Sequence, residues 1–296
     1  MKERGSVPIA RYRRLVQSLP LVVSTIVALA AVPAALRELE RRGLAKENYR
    51  GARLAFPAGL AAVAASLIAL GPVAIADHAS DGDVWPAIGA PVGIVGMVLY
   101  VVGVAVLGLI DDVLGAGDER GWRGHARTTA AGGFSPGLLK AAGATGLALF
   151  VLAGSALDTG DYLLAAAVLV LATNFFNLLD LRPGRSLKAL ALLGVALTLG
   201  STDLDPLWAL GLFAGPLIVL FPFDLRERGM LGDTGSNVAG AVAGLWLVLT
   251  LDTTGQLIAL GVIAAATIYG EFRSISRLID RTPGLRHLDS LGRSHA

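Results

Sequence analysis

The 296-residue chain contains no cysteine, which excludes a disulfide framework, a thiolate metal site and a cysteine nucleophile. Charge is also scarce. Asp, Glu, Lys and Arg together make up 16% of the residues, where a soluble domain carries about a quarter. The few histidines, His78, His125, His287 and His295, are scattered along the chain, which argues against His-rich zinc ligation. The spacings of a zinc protease and a P-loop are missing. What is abundant is apolar: 54% of the residues are hydrophobic and the mean hydropathy is +0.65. Disorder, a coiled coil and a secreted disulfide scaffold are therefore ruled out. The expected partners include a membrane and no nucleic acid.

The apolar residues fall into blocks of membrane-span length. These are Leu19–Leu36, Leu54–Ala76, Ala87–Ile110, Gly137–Leu157, Tyr162–Leu179, Leu187–Ser201, Leu207–Phe223, Asn237–Leu251 and Gln256–Gly270. They predict an all-α, polytopic integral membrane bundle of about nine helices, forming one domain over residues 1–296. Gly211/Gly215 and Gly240/Gly244 have the small-xxx-small spacing that lets helix backbones approach, and such faces would permit a homodimer.

Loop charge predicts the orientation. Asp77–Asp83, Asp158–Asp161, Ser201–Pro206 and Asp252–Gly255 contain no Lys or Arg. The alternate loops, about 37–53, 111–136, 180–188, 224–236 and 271–296, hold most of the cations, among them Arg120, Arg123 and Arg127. The positive-inside rule makes this second set cytoplasmic and the chain a multi-pass plasma-membrane protein. One feature disagrees: the N-terminus, predicted outside, carries Lys2, Arg4, Arg11, Arg13 and Arg14. A re-entrant first segment would resolve the conflict, and the basic start followed by an apolar run also resembles a signal peptide.

Polar residues gather in four places, each with an ordinary reading and a functional one. Gly108–Gly115 ends the third span with Asp111 and Asp112, adjacent carboxylates that repel unless a cation or an Arg offsets them. Asn174, Asn177 and Asp180 share one face at the end of the fifth span; they serve either interhelical hydrogen bonding or a ligand. Arg182, Arg185 and Lys188 follow at once. Gly232–Asn237 opens the eighth span, where Asp233, Ser236 or Asn237 caps the helix, or free amides meet a phosphate. Lys46, Asn48 and Arg50 belong either to a plain positive-inside loop or to the same site. Lys140, at the start of the fourth span, either snorkels to the surface or faces a cytoplasmic cleft. Even numbers of spans separate the clusters, so all four emerge on one face. Carboxylates and cations converging there suit Mg²⁺, a hard ion, and a phosphorylated ligand.

In this order the four clusters resemble the polyprenyl-phosphate N-acetylhexosamine-1-phosphate transferases, glycosyltransferase family 4, from about Lys46 to Arg293. The family patterns are a basic first loop, GxxDDxxG, NxxNxxDGxDG and GDxGS. Here they read Lys46–Gly59, Gly108–Gly115, Asn174–Gly184 and Gly232–Ser236. The resemblance implies transfer of a sugar 1-phosphate from a UDP-sugar to membrane polyprenyl phosphate, with release of UMP, for cell-envelope glycan synthesis. It implies catalytic roles for Asp111, Asp112 and Asp233, with Asp112 and Asp233 holding Mg²⁺, or Mn²⁺ in its place. It also implies substrate contacts from Lys46, Asn48, Arg50, Lys140, Asn174, Asn177, Asp180, Arg182, Gly232 and Ser236. Direct attack and a phospho-enzyme on an aspartate are both compatible with this set.

The chain departs from the family in two places. DGxDG becomes Asp180-Leu-Arg-Pro-Gly184, which leaves the donor open, and the C-terminal histidine cluster is replaced by Arg273, Arg277, Arg281 and the lone His287. A divergent subfamily is therefore expected. The main alternative is a non-catalytic relative that binds polyprenyl phosphate or scaffolds envelope synthesis. A transporter would place acids near the midplane rather than at span ends, and the DGxxAR pattern of the CDP-alcohol phosphotransferases is not found.

Overall fold

The structure, a computed structural model, describes residues 6–85, 91–115 and 136–293. The loop cations Arg120, Arg123 and Arg127, the cations Lys2 and Arg4, His125 and His295 lie outside the described residues. Among those described there are twelve helices and one two-stranded hairpin. In chain order these are α1 Ser6–Gln17, α2 Leu19–Arg41, β1 Ala45–Glu47, β2 Arg53–Ala55, α3 Gly59–Ala79, α4 Ile94–Leu114 and α5 Pro136–Leu152. Then follow α6 Thr159–Leu179, α7 Arg185–Ser201, α8 Asp205–Leu225, α9 Gly232–Thr250, α10 Thr253–Phe272, α11 Ile275–Arg281 and α12 Pro283–Ser290.

Among the described residues most of each apolar block lies on a helix, and the chain is an all-α bundle suited to a membrane. Six helices are long and apolar enough to cross one: α2 extended back to Tyr12, α3, α4, α6, α8 and α10. The other three fall short for physical reasons. α5 and α7 have 17 residues each, and α9 opens with the polar run Gly232–Asn237.

α9 is the axis of the bundle. It is buried from Thr234 to Val248 and packs against α3, α4, α6, α7 and α8. Burial on all sides requires close backbones, and small residues provide them. A side chain on Gly59 of α3 would collide with Gly235 of α9, and one on Gly240 would come within 2.6 Å of Thr173 Cα on α6. Gly211 and Gly215 of α8 accommodate the α2 backbone from Leu21 to Thr25 in the same way. Both small-residue pairs are thus filled by helices of the same chain, which removes the reason for expecting a dimer through them.

The first apolar block is one continuous 23-residue helix, not a re-entrant hairpin. Ser24 Oγ donates to Gly211 O at 2.9 Å, fastening α2 to α8. Val16 packs with Val73 and Val84 beside the end of α3. Arg13 and Arg14 act electrostatically on Asp205 at the start of α8. The end of α1 with Arg13 and Arg14 therefore sits at the acidic-loop end of the bundle, where Asp205 offsets its charge. Thr253 Oγ1 donates to Asp161 Oδ1 at 2.9 Å, tying two more of those loops together.

Candidate active site

The opposite end of the bundle collects the C-termini of α4, α6 and α8 and the N-termini of α3, α5, α7 and α9. Its centre is the start of α9. Gly232 has a positive φ of 70°, and a side chain there would press to 2.8 Å from Asp112 Oδ2 and 2.9 Å from Pro57. Only glycine fits. A side chain on Gly108 of α4 would likewise run into the Asp233 carbonyl, so these two helices meet backbone to backbone.

This closeness lets Asp112 cap a helix that is not its own. Asp233 N–H donates to Asp112 Oδ1 at 2.8 Å, Thr234 N–H to Oδ2 at 2.9 Å, and Thr234 Oγ1 to Oδ2 at 2.6 Å. The N-terminus of α9 thus has a carboxylate from α4 in the place where a local cap or a phosphate was expected. A charge at that position gains from both hydrogen bonding and the helix dipole.

Asp111 and Asp233 face a shared cation. Lys140 Nζ lies 3.1 Å from Asp111 Oδ2 and 2.5 Å from Asp233 Oδ2, with its side chain only 13% exposed. It does not snorkel; the two carboxylates hold it inside. Asn177 Nδ2 also donates to Asp233 Oδ2 at 3.3 Å, and Ser236 Oγ donates to Asn177 Oδ1 at 3.0 Å. Asp180 ends α6 nearby. Burial pushes its carboxyl well above the ordinary range, with Asp224, Asp233 and Asp112 adding repulsion and Arg185 opposing it.

Of the expected residues, the structure brings Asp111, Asp112, Lys140, Asn177, Asp180, Gly232, Asp233 and Ser236 together. The others lie outside this group. Asn174 is exposed, without a hydrogen bond among the described residues. Lys46 lies on the hairpin with its Nζ 4.7 Å from the Phe56 ring centre. Asn48 shapes the hairpin turn, its Oδ1 accepting from Arg50 N–H and Ala52 N–H. Asn48 Nδ2 donates to Glu227 at 2.6 Å and Arg50 pairs with the same carboxylate at 3.3 Å, which moors the hairpin to the α8–α9 turn. Arg182 makes a bidentate pair with Asp280 of α11, both contacts 2.8 Å, and its guanidinium lies 5.8 Å from the Tyr49 ring. Arg273, Arg277, Arg281 and His287 are exposed, and none hydrogen-bonds a site carboxylate.

Four residues were not singled out from the sequence: Asp224, Glu227, Thr234 and Asp289. Asp224 is 3% exposed, and its Oδ2 accepts the N–H of Gly184, whose φ is +73°. The signal was a carboxylate in the last turn of an apolar helix; ending the span at Phe223 left it in a loop. Asp289 of α12 binds Arg185 in bidentate fashion at 2.9 and 3.1 Å and Arg293 at 2.7 Å. Burial acts to raise the Asp289 carboxyl, but the two guanidinium groups hold it below the ordinary range.

Among the described residues the candidate metal donors at the centre are carboxylate and amide oxygens, and this chemistry fits Mg²⁺. Asp111 and Asp233 share the movable Lys140 head, whereas Asp112 directs both oxygens at α9. Among the described residues no group of three or more acidic or histidine side chains is assembled for a metal. Mg²⁺ commonly needs only one or two carboxylates besides water and phosphate oxygens. A comparison with protein-family models and with curated proteins gives no match.

Proposed function

We propose that this chain transfers a sugar 1-phosphate, of the N-acetylhexosamine type, from a UDP-sugar to polyprenyl phosphate. In this reading it is a bundle of nine spans in the plasma membrane with its site on the cytoplasmic face. The observation that carries the reading is the convergence of Asp111, Lys140, Asn177 and Asp233 from four separate helices at one end of an apolar bundle. A soluble anionic donor and a lipid acceptor meet most readily at such an end.

In the direct route a phosphate oxygen of the lipid attacks the β-phosphorus of the donor. The bond from that phosphorus to the UMP oxygen breaks, and UMP leaves with its electron pair. Two anions must approach each other, and Lys140 supplies positive charge where they meet. Asp111 and Asp233 would hold a divalent ion, which when bound neutralises diphosphate charge. Asn177 fixes the Asp233 carboxylate, Ser236 fixes Asn177, and Asp112 holds the start of α9 in register with both. Alignment of acceptor and donor at about 3–3.5 Å adds to the rate gain.

The test is UMP release by the purified protein with polyprenyl phosphate, Mg²⁺ and a panel of UDP-sugars. Release requiring both lipid and Mg²⁺, abolished in Asp111→Asn and Asp233→Asn, is the expected result. No release with any donor, from protein that still binds polyprenyl phosphate, would favour the non-catalytic lipid-binding alternative.

A further inference from the structure

α10 starts at the acidic-loop end of the bundle and finishes at the site end, where Gly270 approaches Leu178 of α6. After Phe272 the chain turns, and α11 and α12 run across that end to α7 and α8. They are held there by charge: Arg182 binds Asp280, Arg185 and Arg293 bind Asp289, and Lys188 Nζ donates to Leu288 O at 3.0 Å and Asp289 O at 2.7 Å. Gly292 rests on Leu225. These contacts leave several other side chains of both short helices exposed.

Those exposed side chains are unusual for a segment facing water. Leu278, Leu285, Leu288 and Leu291 are between 41% and 56% exposed. Arg273, Arg277, Arg281 and Arg286 are exposed as well, and among the described residues none has an acidic partner. Isolated exposed leucines need no explanation, but here they are interleaved with unpaired arginines directly after a helix suited to span a bilayer. A chain leaving such a helix passes through the headgroup layer first. Leucines there can enter the acyl boundary while guanidinium groups meet lipid phosphates.

We propose that α11 and α12 form an interfacial collar that binds anionic phospholipid. Leu278, Leu285, Leu288 and Leu291 lie in the headgroup–acyl boundary, and the four unpaired arginines bind lipid phosphates. Charge complementarity and continuity with α10 identify the membrane surface as the occupant. The collar also grips the Asp180–Gly184 turn through Arg182, so anionic lipid steadies one wall of the candidate site. The inference rests on membrane embedding and not on the transferase reading.

Because the chain has no cysteine, a Leu285→Cys variant can carry a single environment-sensitive fluorophore. It would be reconstituted in phosphatidylcholine vesicles with and without roughly a third phosphatidylglycerol. Ile258→Cys on α10 and Asp81→Cys in an acidic loop serve as buried-in-lipid and aqueous references. The expected result is quenching by shallow nitroxide lipids, at least about twofold stronger in the anionic vesicles. Replacing Arg277, Arg281 and Arg286 by Gln should abolish that increase while the Ile258 probe is unaffected. A Leu285 probe as open to aqueous iodide as the Asp81 probe would overturn the proposal. So would quenching indifferent to lipid charge and to the arginine substitutions.

Discussion

At the scale of single residues, adjacent carboxylates have been given different work by the helix they sit on. Asp112 caps α9 with three hydrogen bonds, whereas Asp111 turns to Lys140. Asp112→Ala should therefore cost about 2 kcal/mol of stability, read as a lower thermal midpoint in detergent. Asp111→Ala should leave that midpoint nearly unchanged and remove turnover. Asp180 and Asp289 respond to pH in opposite directions. The Asp180 carboxyl, raised by burial, binds a proton in the folded chain that the unfolded chain releases. Its contribution to stability thus falls as pH rises from the ordinary value of 3.8 toward the folded one. Asp180→Asn should raise the thermal midpoint at pH 8 by about 2–4 °C, with activity lost. Asp289 is held below 3.8, so its contribution is present above that value and lost as pH falls through the folded value. Hydrogen exchange in α12 should accordingly accelerate in acid, and Asp289→Asn should produce that acceleration at neutral pH.

At the scale of elements, stability depends on where backbones touch. Gly59→Val meets the Gly235 backbone, and neither helix can yield without moving the start of α9. A loss of about 3 kcal/mol or failure to fold is expected. Gly261 on α10 has open space beside it, so Gly261→Leu should change stability by less than about 0.5 kcal/mol. Thermal unfolding of the two variants compares them directly. Helix existence was legible because apolar block length is a simple physical requirement of the bilayer. The ends were less so, since α9 begins five residues before its apolar run, at Gly232. That polar turn is a helix only because Asp112 satisfies its amides from another element, which no local pattern records. The partner of Arg182 was not legible for the same reason: Asp280, nearly a hundred residues away, takes the guanidinium. Lys140 and Asn177 were legible because a lysine and an amide inside apolar runs require polar partners.

For the whole molecule, an apolar bundle fixes four loop clusters at one end and leaves acids and cations facing one another there. The same packing gathers the acidic loops, with Arg13 and Arg14 of α1 among them, at the other end. The most direct measurement is mass-spectrometric detection of a polyprenyl-diphosphate sugar made from UDP-sugar and polyprenyl phosphate. Wild type would be compared with Asp233→Asn and Lys140→Gln at matched folded concentration. The account predicts Mg²⁺-dependent product from wild type and a reduction on the order of 10²–10³-fold in both variants. Equal product from wild type and Asp233→Asn would contradict it, because the carboxylate at the centre of the cluster would then take no part in the chemistry.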